Sequence, residues 1–204
     1  MELTEQQRDA ITELINIGFS RAAASLSDLT GHRVVLNVPR VAIHPVSELD
    51  HALEEMAGKE LISVHQIFSG TMAGDAVIML NVEGARALIN LLVGEEDREL
   101  TESGQEVLME VGNILLNACL GMFGNLLKIH VTFSVPRLHL ESLSAMLDSL
   151  RVEEEDISYA LVVYTTFNIR ESSVTGYLVI ILGVASLDRL IQAVESWARL
   201  STQA

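Results

Sequence analysis

Apolar residues recur at helical spacing through the first 30 residues. Ala10, Ile11, Leu14, Ile15, Gly18, Ala22 and Leu26 form one stripe. Asp9, Glu13 and Asn16 fall largely on the opposite side. Thr4 is the N-cap, Gln7 completes a capping box, and Gly31 closes the helix. The period then changes. Residues 34–45 read as a strand pair or one long bent strand, with Pro39 marking an edge or bulge because it lacks a ladder N–H. Residues 47–57 read as a short helix. Residues 61–68 and 76–80 read as strands of a hairpin, and 83–93 as an amphipathic helix ended by Gly94.

A charged stretch at 95–100 separates this half from a second that repeats the order. Thr101 starts a helix running to about Lys128, with Gly104 where a capping box has Glu or Gln. Residues 131–140 are extended, 143–150 form a short helix, 157–167 and 176–182 are strands, and 186–197 is the closing helix. Four consecutive acids, Glu153-Glu154-Glu155-Asp156, read as a solvated loop.

The two long helices carry one polar signature. Asp9, Glu13 and Asn16 in the first match Glu106, Glu110 and Asn113 in the second, and spacings of four and three put each trio on one helix face. The offset is 97 at each position (110 − 13, 113 − 16), and Val38-Pro39-Arg40 recurs at the same offset as Val135-Pro136-Arg137. Residues 9–41 and 106–138 share eight identities in 33 positions, where random pairing gives roughly two. Packing explains matched core residues. It does not explain an exposed Glu and an exposed Asn matched in both halves.

Few strands fall in each half, so a continuous sheet shared by both buries more apolar area than two separate cores. The expectation is an α/β (α+β) fold, internally duplicated with pseudo-two-fold symmetry. A continuous, mostly antiparallel sheet would carry the two long signature helices on one face. Residues 1–204 would form a single domain of two repeats, about 1–97 and 98–204. Small residues at matched places, Ala24 with Gly121 and Ser27 with Gly124, suggest where the helices approach closely.

Composition narrows the function. The formal charge is −15, and no basic cluster interrupts it, which argues against nucleic acid as partner. Aromatic residues make up only 4%, so the core is aliphatic. The single Cys119 lies in an apolar helical stretch and reads as a buried thiol. The N-terminus shows no secretory pattern, and the apolar run 177–185 is too short to span a bilayer. A cytoplasmic protein without membrane insertion is expected. None of the six histidines forms a zinc-like pattern, and no phosphate loop or nucleophile elbow is present. No metal or cofactor of its own is expected. The remaining chemistry is an exposed Glu and an exposed Asn acting on something a partner brings.

The stretches Glu13-Leu14-Ile15-Asn16-Ile17-Gly18 and Glu110-Val111-Gly112-Asn113-Ile114, each followed by a Val-Pro strand, resemble the CheC/CheX/FliY phosphatases of bacterial and archaeal chemotaxis. The resemblance covers essentially the whole chain, and the order of elements fits CheC best. It implies a hydrolase that acts on the aspartyl phosphate of a phosphorylated CheY-type response regulator, with Mg²⁺ bound in that regulator. Glu13 and Glu110 would pair with a lysine of the regulator. Asn16 and Asn113 would hold the attacking water. Asp9 and Glu106, at the leading position, would contact the partner, and the longer Glu106 departs from the family pattern and implies unequal sites. The alternative is a non-catalytic adaptor or flagellar-switch interaction protein, for example one binding the receptor deamidase CheD.

Overall fold

A computed structural model describes residues 2–53, 60–93, 100–142, 145–146, 148, 158–169 and 172–201. Helix α1 (Glu5–Thr30) begins as its sequence dictates. The Thr4 hydroxyl accepts from the Gln7 N–H and the Gln7 side chain accepts from the Thr4 N–H, while Gly31 closes the helix at φ 67°. The Ser27 hydroxyl donates to the Ala23 carbonyl and accepts from the Val34 N–H, tying the end of α1 to the strand that follows.

Strand β1 (Val34–Pro45) is followed by a 3₁₀ turn (Val46–Glu48) and the short helix α2 (Leu49–Ala52). Next come β2 (Glu60–Gly70), β3 (Gly74–Asn81) and α3 (Val82–Val93). The second half contains α4 (Glu102–Leu126), β4 (Val131–Phe133), β5 (Arg137–Ser142), β6 (Ser158–Ile169), β7 (Ser172–Gly183) and the closing helix α5 (Val184–Ser201). Thr101 caps α4, accepting from the Gly104 N–H. The ends of the short helices expected at 47–57 and 143–150, Gly94, most of the 95–100 stretch and the acids 153–156 lie outside the described residues.

All the strand pairings are antiparallel, in the order β1-β6-β7-β3-β2-β4, with β5 also on β2. Strands from the two halves interleave in one sheet. Exchanging the halves leaves the pairing unchanged: β1–β6 maps to β5–β2, β6–β7 to β2–β3, and β3–β7 to itself. Proline interrupts both outer strands at the matched place. The β1 register shifts between Asn37 and Arg40, around Pro39, and Pro136 falls in the gap between β4 and β5.

The 97-residue offset does not persist to the end of each half. Val82 opens α3 and Val184 opens α5, a difference of 102 (184 − 82). Five residues (102 − 97) are therefore added in the second half between the outer strand and the last helix.

Both sheet faces are covered. Ile62, Val64, Ile78, Leu161, Leu178 and Ile180 face the core shared with α1, α3, α4 and α5. Their neighbours Leu61, Val77, Met79, Val162, Tyr177 and Val179 pack under Val46, Leu49, Leu53 and Met146 on the reverse face. Two buried faces account for the nearly unbroken apolar run of β7. Among the described residues α4 is the one helix long and apolar enough, by length and composition, to cross a membrane. Here it is a core helix: Leu108, Val111, Leu115, Leu116, Cys119 and Phe123 are buried in the cluster with α1 and the sheet.

The close approach of α1 and α4 differs from expectation. A Cβ on Gly18 would lie 3.0 Å from the Ala118 carbonyl oxygen and 3.2 Å from the Cys119 Cα. Gly121 has nothing within 4 Å of its missing Cβ, and Ala24 is exposed. The helices thus touch at Gly18 and Ala118–Cys119, not at the matched small pairs. Ser27 and Gly124 instead meet the turns that leave their own helices.

Candidate functional site

The apolar stripe of α1 fixes what its outer face presents. Ile11, Leu14, Ile15, Phe19 and Ala22 are almost fully buried, which rotates Asp9, Glu13, Asn16 and Ser20 into solvent. These four, with Thr12 and Ile17, line one shallow open depression. The Thr12 hydroxyl donates to the Arg8 carbonyl at 2.8 Å and the Ser20 hydroxyl to the Asn16 carbonyl at 2.7 Å. The Asn16 side-chain amide has no hydrogen-bond partner among the described residues.

The second helix repeats this with one difference. Glu106 and Glu110 are exposed, but Asn113 is only half-exposed. Its Oδ1 accepts from Asn117 Nδ2 at 2.6 Å. All four Glu and Asn side chains are accessible to solvent, Asn113 the least, and its partner Asn117 is itself exposed. One residue earlier, a Cβ on Gly112 would sit 2.5 Å from Val64 Cγ1, so glycine lets α4 lie directly on β2. The matching residue in α1 (112 − 97) is the fully buried Ile15, whose side chain separates the helix backbone from its surroundings.

Asn117 was missed by the sequence reasoning, although it lies one turn beyond Asn113 and matches Ser20 at the 97-residue offset. The histidines also come together in a way their spacing hid. His65 Nε2 on β2 lies 2.7 Å from the Asp75 carboxylate on β3, and the His139 ring on β5 is 6.0 Å from that of His65. No group of three or more metal-binding side chains converges among the described residues.

Each face offers an amide, which donates and accepts hydrogen bonds without titrating, beside two carboxylates. The carboxylates repel a bare phosphate, so a phosphoryl group could react here only with cations supplied by its own carrier.

No protein-family model matches the chain. It is 25% identical over 173 residues to the CheY-P phosphatase CheC of Bacillus subtilis, covering 80% of this chain and 81% of CheC. It is 22% identical over 173 residues to the flagellar motor switch phosphatase FliY of the same organism, covering 83% of this chain but 44% of FliY. The crystal structure of Thermotoga maritima FliY superposes with a TM-score of 0.78 at 19% identity, covering 97% of this chain and 100% of that one. The chain is thus homologous to CheC and FliY of Bacillus subtilis and has the fold of Thermotoga maritima FliY, which supports a place in the CheC/CheX/FliY family.

Proposed function

We propose that this protein is a phosphatase of chemotaxis signalling that hydrolyses the aspartyl phosphate of a CheY-type response regulator in the cytoplasm. The observation that carries the reading is the repeated presentation of Glu13 with Asn16 and Glu110 with Asn113 on the outer faces of two adjacent helices. Homology with a protein named as a CheY-P phosphatase supports it.

In this reading each helix face docks over the regulator's phosphorylated aspartate. Asn16 or Asn113 holds a water in line with the phosphorus. Glu13 or Glu110 pairs with a lysine of the regulator and sets the register, while Asp9 or Glu106 contacts the partner at the leading position. The regulator contributes the Mg²⁺ that neutralises the phosphoryl oxygens. Phosphoryl transfer needs chiefly positioning and charge neutralisation, so a single amide suffices on the phosphatase side. The test is release of phosphate from phosphorylated CheY with and without this protein. A rate unchanged by its addition overturns the reading.

The second reading is a binding role, as an adaptor for CheD or a component of the flagellar switch. The partly occupied amide of Asn113 favours it; the match to FliY, named a flagellar motor switch phosphatase, fits a place at the switch but not a loss of hydrolysis. It predicts regulator binding without hydrolysis.

A further inference from the structure

The first site is not bounded by α1 alone. Asp9 and Glu13 line a second, larger groove whose other wall is the end of α5, with Gln6 on the near side and Glu195, Trp197 and Arg199 opposite. Gln7 Nε2 donates to Glu195 Oε1 at 2.8 Å and joins the walls. Trp197 is half-buried and packed against the core. Arg199 turns back on its own helix, its Nε donating to the Glu195 carbonyl at 3.3 Å.

Resting on the functional reading above, we infer that this α1–α5 groove extends the docking surface of the first site alone and takes a cationic segment of the response regulator. Three observations carry this. The groove is continuous with the reacting face, because Asp9 and Glu13 belong to both depressions. Asn16 is seven residues from Asp9, about 10 Å along a helix, well inside a protein footprint of roughly 800 Å² per partner. The chemistry also suits a cation: Asp9, Glu13 and Glu195 set three carboxylates against the one guanidinium of Arg199, with Trp197 in the same lining. Finally, the second site lacks the Glu195 carboxylate: shifted back by the 102-residue offset, Glu195 corresponds to Val93, the last residue of α3.

The experiment uses Glu195→Lys, and Glu195→Gln as a variant that keeps an acceptor for Gln7, each in two backgrounds. Asn113→Ala leaves only the first site active and Asn16→Ala only the second. Glu195→Lys should raise KM for phosphorylated CheY about tenfold in the Asn113→Ala protein with kcat unchanged. It should leave the Asn16→Ala protein unaltered, and Glu195→Gln should have a smaller effect in the same direction. In parallel, the sole tryptophan is replaced by 5-fluorotryptophan and its ¹⁹F resonance followed on titration with beryllofluoride-activated CheY. A shift that Glu195→Lys weakens supports the groove. Active enzyme whose KM is unchanged by Glu195→Lys, or raised equally in both backgrounds, overturns this inference and leaves the phosphatase reading standing. If the wild type releases no phosphate, the phosphatase reading fails. The ¹⁹F titration then decides alone, and an unmoved resonance overturns the groove.

Discussion

Asn117 Nδ2 donates to Asn113 Oδ1 at 2.6 Å, whereas the matching Ser20 donates to the backbone carbonyl of Asn16 at 2.7 Å. The second-site amide is thus held by its neighbour one turn on, and the first-site amide is free to rotate. Ordering such a side chain is worth about 0.5–1.5 kcal/mol. In an Asn16→Ala background, where only the second site remains, Asn117→Ala should lower kcat roughly two- to tenfold with little change in KM. Steady-state dephosphorylation of CheY checks this. A change in KM alone would place Asn117 in docking instead.

The helix contact gives a stability prediction of opposite signs at two glycines. Gly18→Val should destabilise by about 1–3 kcal/mol, because its side chain meets the α4 backbone at Ala118 and Cys119. Gly121→Ala should stabilise by about 0.5–1 kcal/mol, because nothing lies near the added methyl and alanine is the better helix former. For a chain of this size that gain is about 2–4 °C or less in Tm. Thermal melts of the two variants beside the wild type give both signs in one experiment.

Cys119 is fully buried, and burial pushes its thiol well above the ordinary range. An acid with a raised folded pKa stays neutral through physiological pH, and the stability it lends is lost only as pH climbs past the ordinary thiol value. The native protein should therefore resist a thiol-reactive disulfide reagent at pH 8 and react with one equivalent after unfolding in guanidinium. Rapid reaction of the folded protein would show that α4 opens locally.

Thr4 begins the helix that carries the first site, and both halves of its capping box are made. Thr4→Ala should cost about 0.5–2 kcal/mol. The lost order should be confined to the first turns of α1, ahead of Asn16. Amide hydrogen exchange should report faster exchange there and unchanged exchange in α4.

The elements most legible in the sequence were those set by local chemistry. Helix starts at Thr4 and Thr101, the stop at Gly31 and the strand interruption at Pro39 depend on neighbouring residues only. The polar faces of α1 and α4 follow from the spacing of their apolar stripes, so Glu13, Asn16 and Glu110 could be assigned to solvent. What was not legible depends on the tertiary arrangement. Contact at Gly18 is chosen by how the helices cross on a twisted sheet, and small residues at Ala24 and Gly121 carry no record of that. The close approach of Gly112 to the sheet depends on Val64 of a distant strand. The meeting of His65, Asp75 and His139 depends on the β2–β3 and β2–β5 registers.

The central claim is that Asn16 and Asn113 orient the water that attacks the regulator's phosphoryl group. The most direct measurement is dephosphorylation of phosphorylated CheY by the wild type, Asn16→Ala, Asn113→Ala and the double variant, each checked for folding by circular dichroism. An exposed or half-exposed polar residue on a helix contributes little to stability, within about 0.5 kcal/mol, so all four proteins should be folded. Each single variant should retain the activity of one site, and the double variant should lose nearly all of it. A folded double variant as active as the wild type would contradict the account.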